Sequence, residues 1–164
     1  MYKKIMVPLD GSDLAECVLP QVDGFVAGLQ GETIIFVTVI EPTPTHYSEM
    51  GSDIDPHVFE IMQKNTKMVD EERISYAARY LKQVINQVKQ DGVKYKAEVL
   101  VGQVADRLVD YIDANKIDLV LIATHGRSGI SRWVRGSVAD KVLRSSHAPV
   151  LMVRADDKTS REKV

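Results

Sequence analysis

The chain has 164 residues, 45% hydrophobic and 27% charged, with a net charge of −2. That length suits one globular domain with a full core, and the near-neutral balance gives the molecule as a whole no electrostatic reason to bind nucleic acid or an acidic membrane. No apolar run reaches the roughly 20 residues that span a bilayer, Met1 to Lys4 leads into too short an apolar stretch for a signal peptide, and one cysteine with four scattered histidines excludes an internal disulfide and a dense metal cluster, so the cytoplasm is the expected location.

Ile5-Met6-Val7 and then Thr33 to Ile40 (TIIFVTVI) are compact β-branched runs without polar alternation, the pattern of strands covered on both faces. Between them Ser12 or Asp13 caps a helix, Glu16 stands at capping-box spacing from Asp13, and Leu14, Val18, Val22, Val26 and Leu29 form one stripe. Pro20 removes a backbone donor there and predicts a kink, and Cys17 reads as helix core. Glu41 to Pro56 reads as a long, mobile surface loop that Asp55-Pro56 closes as N-cap and first helical residue. Val58, Ile61, Met62, Val69, Ala77, Leu81, Val84, Ile85 and Val88 then recur at helical spacing up to Asp91-Gly92. The polar stretch from Gln63 to Lys67 suggests a break or a short preceding helix, and the Met62 and Met68 pair reads as ordinary packing.

Val93 to Val101 alternates like an edge strand with one face in water, and Val104, Leu108 and Ile112 line a short helix. Ile117 to Ala123 is a fully buried strand, a helix begins near Ser137 with Val138 and Val142 inward, and Pro149 to Val153 is a fifth strand. The expected fold is therefore α/β: residues 1–154 as a single Rossmann-like domain, a five-stranded parallel sheet with helices on both faces, and residues 155–164 as a frayed polar tail.

Ligands of such sheets bind outside the carboxyl ends of the strands, where the winding reverses, so the loops after the first and fourth strands are the ones to inspect. After the fourth come Ala123-Thr124-His125-Gly126-Arg127-Ser128-Gly129 and, further on, Arg135-Gly136-Ser137 at the start of the last helix. Glycines let backbone amides approach a ligand, and Ser137 adds a hydroxyl beside unpaired N–H groups at the positive end of a helix, a site suited to phosphates, with Arg127 and Arg135 placed to add charge. Between Thr124 and His147 lies a local excess of +4 in a chain whose remainder is −6, which a solvated helix face explains equally well. After the first strand stands Pro8-Leu9-Asp10-Gly11-Ser12, where Asp10 either accepts a hydrogen bond from a ribose or adenine or serves as a turn residue.

The chain resembles the universal stress protein family, in its ATP-binding branch, from Lys3 to Arg154. The likeness rests on KKIMVPLDGSDLAE, on IIFVTVI and above all on ATHGRSGISRWVRGSVADKVLRSSHAPVLMVR. The family's nucleotide motif, glycine, two residues, glycine, nine residues, then glycine with serine or threonine, is matched at Gly126, Gly136 and Ser137, while Ala123 replaces the first glycine and Gly129 does not restore it. By resemblance, Asp10 and the main chain near Pro8, Leu9 and Val39 hold adenine and ribose. Gly126, Arg127, Gly136, Ser137 and Val138 surround the phosphates, and Ile122, Ala123, His125, Gly129 and Arg135 complete the candidate set. The resemblance also implies strand order 3-2-1-4-5, a homodimer through the fifth strand, and ATP as ligand, with AMP or cyclic AMP as alternatives and Mg²⁺ carried by the phosphates. No catalytic residue is assigned.

Three functions compete: a nucleotide-gated regulator acting on a protein partner, a slow ATPase or self-phosphorylating enzyme, and a ligand-free dimeric scaffold. The regulator is favoured. The chain lacks a G-x-x-x-x-G-K-[ST] loop and its lysine, and His125, the one candidate base near the phosphates, reads as a loop-packing residue. The retained Gly126, Gly136 and Ser137 argue against the scaffold.

Overall fold

The computed structural model describes residues 2–26, 33–45, 55–125 and 137–155. Its elements run β1 (Lys4–Pro8), α1 (Asp13–Glu16), α2 (Leu19–Val26), β2 (Thr33–Ile40), α3 (Pro56–Val88), β3 (Lys94–Val101), α4 (Val104–Asn115), β4 (Leu119–His125), α5 (Ser137–Ser145) and β5 (Val150–Ala155). The strands form one five-stranded sheet in the order β3-β2-β1-β4-β5, every neighbouring pair parallel.

Why the inner strands carry no polar alternation is visible in their burial. Successive side chains of a strand point to opposite faces, and both faces here are covered. Ile5, Val7, Ile34, Phe36, Leu119 and Leu121 pack with Val18, Val22, Leu81 and Val84 under α1, α2 and α3. Met6, Ile35, Val37, Val120 and Ile122 pack on the other face with Leu108 and Ile112 of α4 and Ala139 and Val142 of α5. β3 and β5 are the two edges.

Five expectations are corrected. The predicted kink at Pro20 is a full break: α1 ends at Glu16, Cys17 and Val18 turn, and Pro20 occupies the first turn of α2, where no N–H partner is required. Cys17 is accordingly a half-buried turn residue rather than helix core. Glu16 does not close a capping box. Ser12 is the N-cap, its Oγ accepting from Ala15 N at 3.1 Å, and Glu16 Oε1 accepts from the Tyr80 hydroxyl at 3.0 Å, which ties α1 to α3. Burial, followed by that bond to Glu16, pushes the Tyr80 phenol well above its ordinary pKa.

The fourth correction concerns α3, which runs without a break for 33 residues from Asp55, whose side chain accepts from His57 N at 2.8 Å with Pro56 as the first helical residue. It stops at Val88, ahead of the turn at Asp91-Gly92 where Gly92 takes φ 87°. The polar stretch from Gln63 to Lys67 is not a hinge. It lies in the half of the helix that has no fully buried residue, since the buried residues of α3 are Ala77, Leu81, Val84 and Val88. A fifth correction concerns the methionine pair: Met62 is half-buried, but Met68 is 52% exposed, so Met68 is not ordinary packing. Residues 46–54 of the expected surface loop and 156–164 of the expected tail lie outside the described residues.

Candidate nucleotide cleft at the carboxyl edge

β1 and β4 pair in register only at Ile5 with Leu119 and Met6 with Val120. Past Met6 the chain leans toward β2, where Leu9 N donates to Val37 O at 2.8 Å, while β4 continues to His125. The two strands part at the point where the sheet's winding reverses, and a cleft of about 330 Å³ opens there. Pro8 of β1 and Leu9 and Asp10 just after it line the cleft, with Val37 and Val39 from β2, Ile122, Ala123 and Thr124 from β4, and Ser137, Val138 and Ala139 from the first turn of α5. Leu14 and Ala15 of α1 and Val104 and Leu108 of α4 close the sides. An apolar slot of this size with a few polar groups at its rim suits a flat heterocycle with a polar extension.

The structure therefore brings together Pro8, Leu9, Asp10, Val39, Ile122, Ala123, Ser137 and Val138 of the candidate set. His125 ends β4, and Gly126, Arg127, Gly129, Arg135 and Gly136 lie outside the described residues. Val37, Val104, Leu108, Leu14 and Ala15 also line the cleft but were not singled out in sequence, where their spacing reads as core. The period-2 relation of Val37 to Val39 is the signal that would have found the first of them.

Asp10 serves as a turn residue, one of the two roles the sequence left open. Its Oδ1 accepts from Ser12 N at 2.9 Å and from Ser12 Oγ at 2.6 Å, which fixes the turn. Among the described residues Oδ2 has no hydrogen bond, so the side chain is held by one oxygen and presents the other. Of the cations in the local positive excess, Lys141 pairs with Asp106 at 2.6 Å and Arg144 with Asp140 at 2.8 Å, the solvated-face reading; Arg127, Arg132 and Arg135 lie outside the described residues.

The chain that leaves β2 braces the cleft. Glu41 Oε1 accepts from Val104 N at 3.4 Å and so serves the N-terminus of α4, where Gln103 makes no side-chain cap. Arg73 Nη1 donates to Glu41 O at 2.9 Å, and Thr43 donates to Asp70 from Oγ1 at 2.7 Å and from N at 3.2 Å. The Thr43 hydroxyl, with smaller help from Arg73, holds the Asp70 carboxyl below the usual carboxylate range. A depressed folded-state pKa means these bonds favour the fold above the ordinary carboxylate pKa and are lost as pH falls through the depressed one. Thr43→Val is expected to raise the Asp70 pKa toward its ordinary value, read by carboxyl-carbon NMR titration; an unmoved value would show that the hydroxyl is not the cause.

A second hollow of about 680 Å³ lies on the opposite face of the sheet, between β2 and α3, with Asp10, Thr38, Ile40, Val69, Arg73, Tyr76 and Tyr80 in its walls. It borders β1 and β2 rather than the β1–β4 crevice.

A family model described as the universal stress protein family matches residues 1–154. Among curated proteins, a universal stress protein of Methanocaldococcus jannaschii is 28% identical over 96% of this chain and 85% of its own, and a second from that organism is 27% identical over 94% and 96%. The solved structure of the second superposes with a TM-score of 0.74 at 24% identity, covering 96% of this chain and 99% of its own. A universal stress protein solved in complex with cAMP has a TM-score of 0.61 at 22% identity over 94% of this chain and 99% of its own. One from Arabidopsis thaliana with AMP bound reaches 0.61 at 13% identity over 98% and 97%. At these identities the solved structures establish the fold.

Proposed function

The chain belongs to the universal stress protein family, and on that premise we propose that it is an adenine-nucleotide-binding regulatory protein whose ligand sits in the β1–β4 cleft. The observation that carries the reading is the cleft itself: an apolar slot at the switch point, with the Oδ2 of Asp10 at one rim and Ser137 at the head of α5 at the other. The base enters between Val39 and Ile122, Asp10 Oδ2 accepts from the ribose, and the phosphates run toward Ser137, where the positive end of α5 favours an anion. Relatives solved with cAMP and AMP support an adenine nucleotide as the class. ATP is the nucleotide assigned, with Mg²⁺ carried by its phosphates. Gly126, Arg127, Gly136 and the neighbouring His125, Gly129 and Arg135 join the phosphate end in this reading, and no catalytic residue is assigned.

The protein acts in the cytoplasm as a homodimer through β5. That strand is an edge with Leu151 exposed, and pairing two such edges satisfies backbone groups that would otherwise invite aggregation. Among the described residues no helix is long and apolar enough to cross a membrane.

Acid extraction of the purified protein, followed by calorimetric titration of the stripped chain with ATP and Mg²⁺, tests the reading. Stoichiometric nucleotide or micromolar binding is expected; absence of both would leave a dimeric scaffold. Asp10→Ala is expected to weaken ATP by about ten- to a hundredfold, the worth of a hydrogen bond to a charged group, and inorganic triphosphate by less than about threefold. Equal losses would remove Asp10 from the nucleoside end.

A further inference from the structure

Asp10 stands between two cavities. It lines the cleft at the β1–β4 crevice, and with Gly11, Thr38 and Tyr80 it also walls the hollow under α3. Its carboxylate therefore has two sides to serve, and what aims it decides which. The chain is fixed on either side of it. Leu9 is held by β2, its N donating to Val37 O at 2.8 Å and its O accepting from Thr38 Oγ1 at 2.9 Å, and Ser12 is held as the N-cap of α1. Between them Gly11 takes φ 83°, a conformation that glycine adopts readily but in which it has no side chain to anchor it.

Tyr80 meets that turn from the α3 side. A phenol hydroxyl has one proton to give, and this one goes to Glu16 Oε1 at 3.0 Å. Toward the turn the oxygen offers only lone pairs. Gly11 N–H is directed at it, and the Asp10 carboxylate lies near enough to oppose ionisation of the phenol. Lone pairs attract the amide and repel the carboxylate. Glu16, whose carboxylate sits on the same hydroxyl, adds a like charge on that side. Both effects turn Asp10 away from the hollow and toward the cleft.

We propose that Tyr80 is a positioning residue of the nucleotide site, with Glu16 committing its proton: the hydroxyl holds the turn from Asp10 to Ser12 by accepting rather than donating, and so keeps Asp10 Oδ2 on the cleft side. This rests on the nucleotide reading of the cleft. An inversion follows that a merely structural tie between α1 and α3 would not produce. Without Glu16 the phenol proton is free to reach for Asp10 and draw its carboxylate into the hollow, so losing Glu16 harms the site more than losing the hydroxyl itself.

Calorimetric titration of the full chain with AMP is the test. Tyr80→Phe is expected to weaken binding about threefold and Glu16→Ala about tenfold, whereas Glu16→Gln, whose amide oxygen still accepts the phenol proton, recovers most of the second loss. Adding Tyr80→Phe to Glu16→Ala removes the misdirected proton and should bring affinity back to within about threefold of wild type. In an Asp10→Ala background none of these changes moves affinity by more than about twofold, and inorganic triphosphate is held equally by all of the variants. In the nucleotide-free chain, Tyr80→Phe is expected to speed exchange of the Gly11 amide proton about fivefold. Losses that simply add when Glu16→Ala and Tyr80→Phe are combined, losses that persist without Asp10, or an unchanged Gly11 exchange rate would each overturn the proposal. Failure of the nucleotide reading looks different: wild type then binds no AMP, or Asp10→Ala binds it as wild type does, and the Gly11 exchange rate still shows whether Tyr80 holds the turn.

Discussion

Val39→Trp is expected to lower the affinity for adenine nucleotides by about a hundredfold, equivalent to about 2.7 kcal/mol, while the protein keeps its fold. Val39 is the seventh residue of β2 and is only half-buried. Its side chain lies on the face that carries Val37 and reaches the cleft rather than the packed centre of the sheet. An indole at that place takes up a large part of a 330 Å³ cleft. The same enlargement inside a close-packed core forces neighbours off their rotamers and costs stability; at the mouth of a cleft it occupies room that the ligand needs. Titration with ATP and with AMP should show the same loss, because the two share the base. Loss confined to ATP would put the clash at the phosphates, and unchanged affinity for both would take the base out of this cleft. A fall in the thermal midpoint comparable to that of a core variant would show that Val39 is structural.

The strands were legible because burial on both faces writes the same message at every position. TIIFVTVI carries a single polar residue in its buried run, Thr38, whose hydroxyl donates to Leu9 O, and its bounds as a strand coincide with β2. The candidate cleft was legible where sequence motif and topology agree, at Pro8 to Asp10 and at Ser137 and Val138, which line it. The misreadings share one cause. Periodicity shows where an apolar stripe runs along a helix but not what lies opposite it. Gln63 to Lys67 looked like an interruption because a helix over a sheet needs buried residues there, whereas this helix has already passed the sheet's edge. Glu16 stood at capping-box spacing, yet Tyr80, 64 residues away, takes its carboxylate. Pro20 signalled a disturbance correctly, but the signal does not distinguish a bend from a fresh start, and Ser12 and the turn at Cys17 made the fresh start available. The walls of the cleft at Val104 and Leu108 were read only as helix core, because a residue that lines a cleft from below has the same spacing as one that packs on a sheet.

Phe36→Ala is expected to cost about 3–5 kcal/mol of unfolding free energy, a large share of what a domain of this size possesses. Phe36 is fully buried, heads the fully buried side chains by volume, and packs among the residues under α2 and α3 with Leu81 and Val84. Urea unfolding followed by circular dichroism reads the loss as a lower midpoint at similar slope. The variant also separates two ways in which β2 could matter. Phe36 faces α3, while its neighbours Val37 and Val39 face the cleft across the sheet. If the strand keeps its register, saturating nucleotide at a hundred times its Kd should stabilise wild type and variant alike by about 2.7 kcal/mol, since a ligand that binds only the folded state adds the same increment to both. A smaller increment in the variant would mean that the cavity left by the phenyl ring lets β2 shift and carries the cleft wall with it, so that the α3-side core and the ligand site form one mechanical unit.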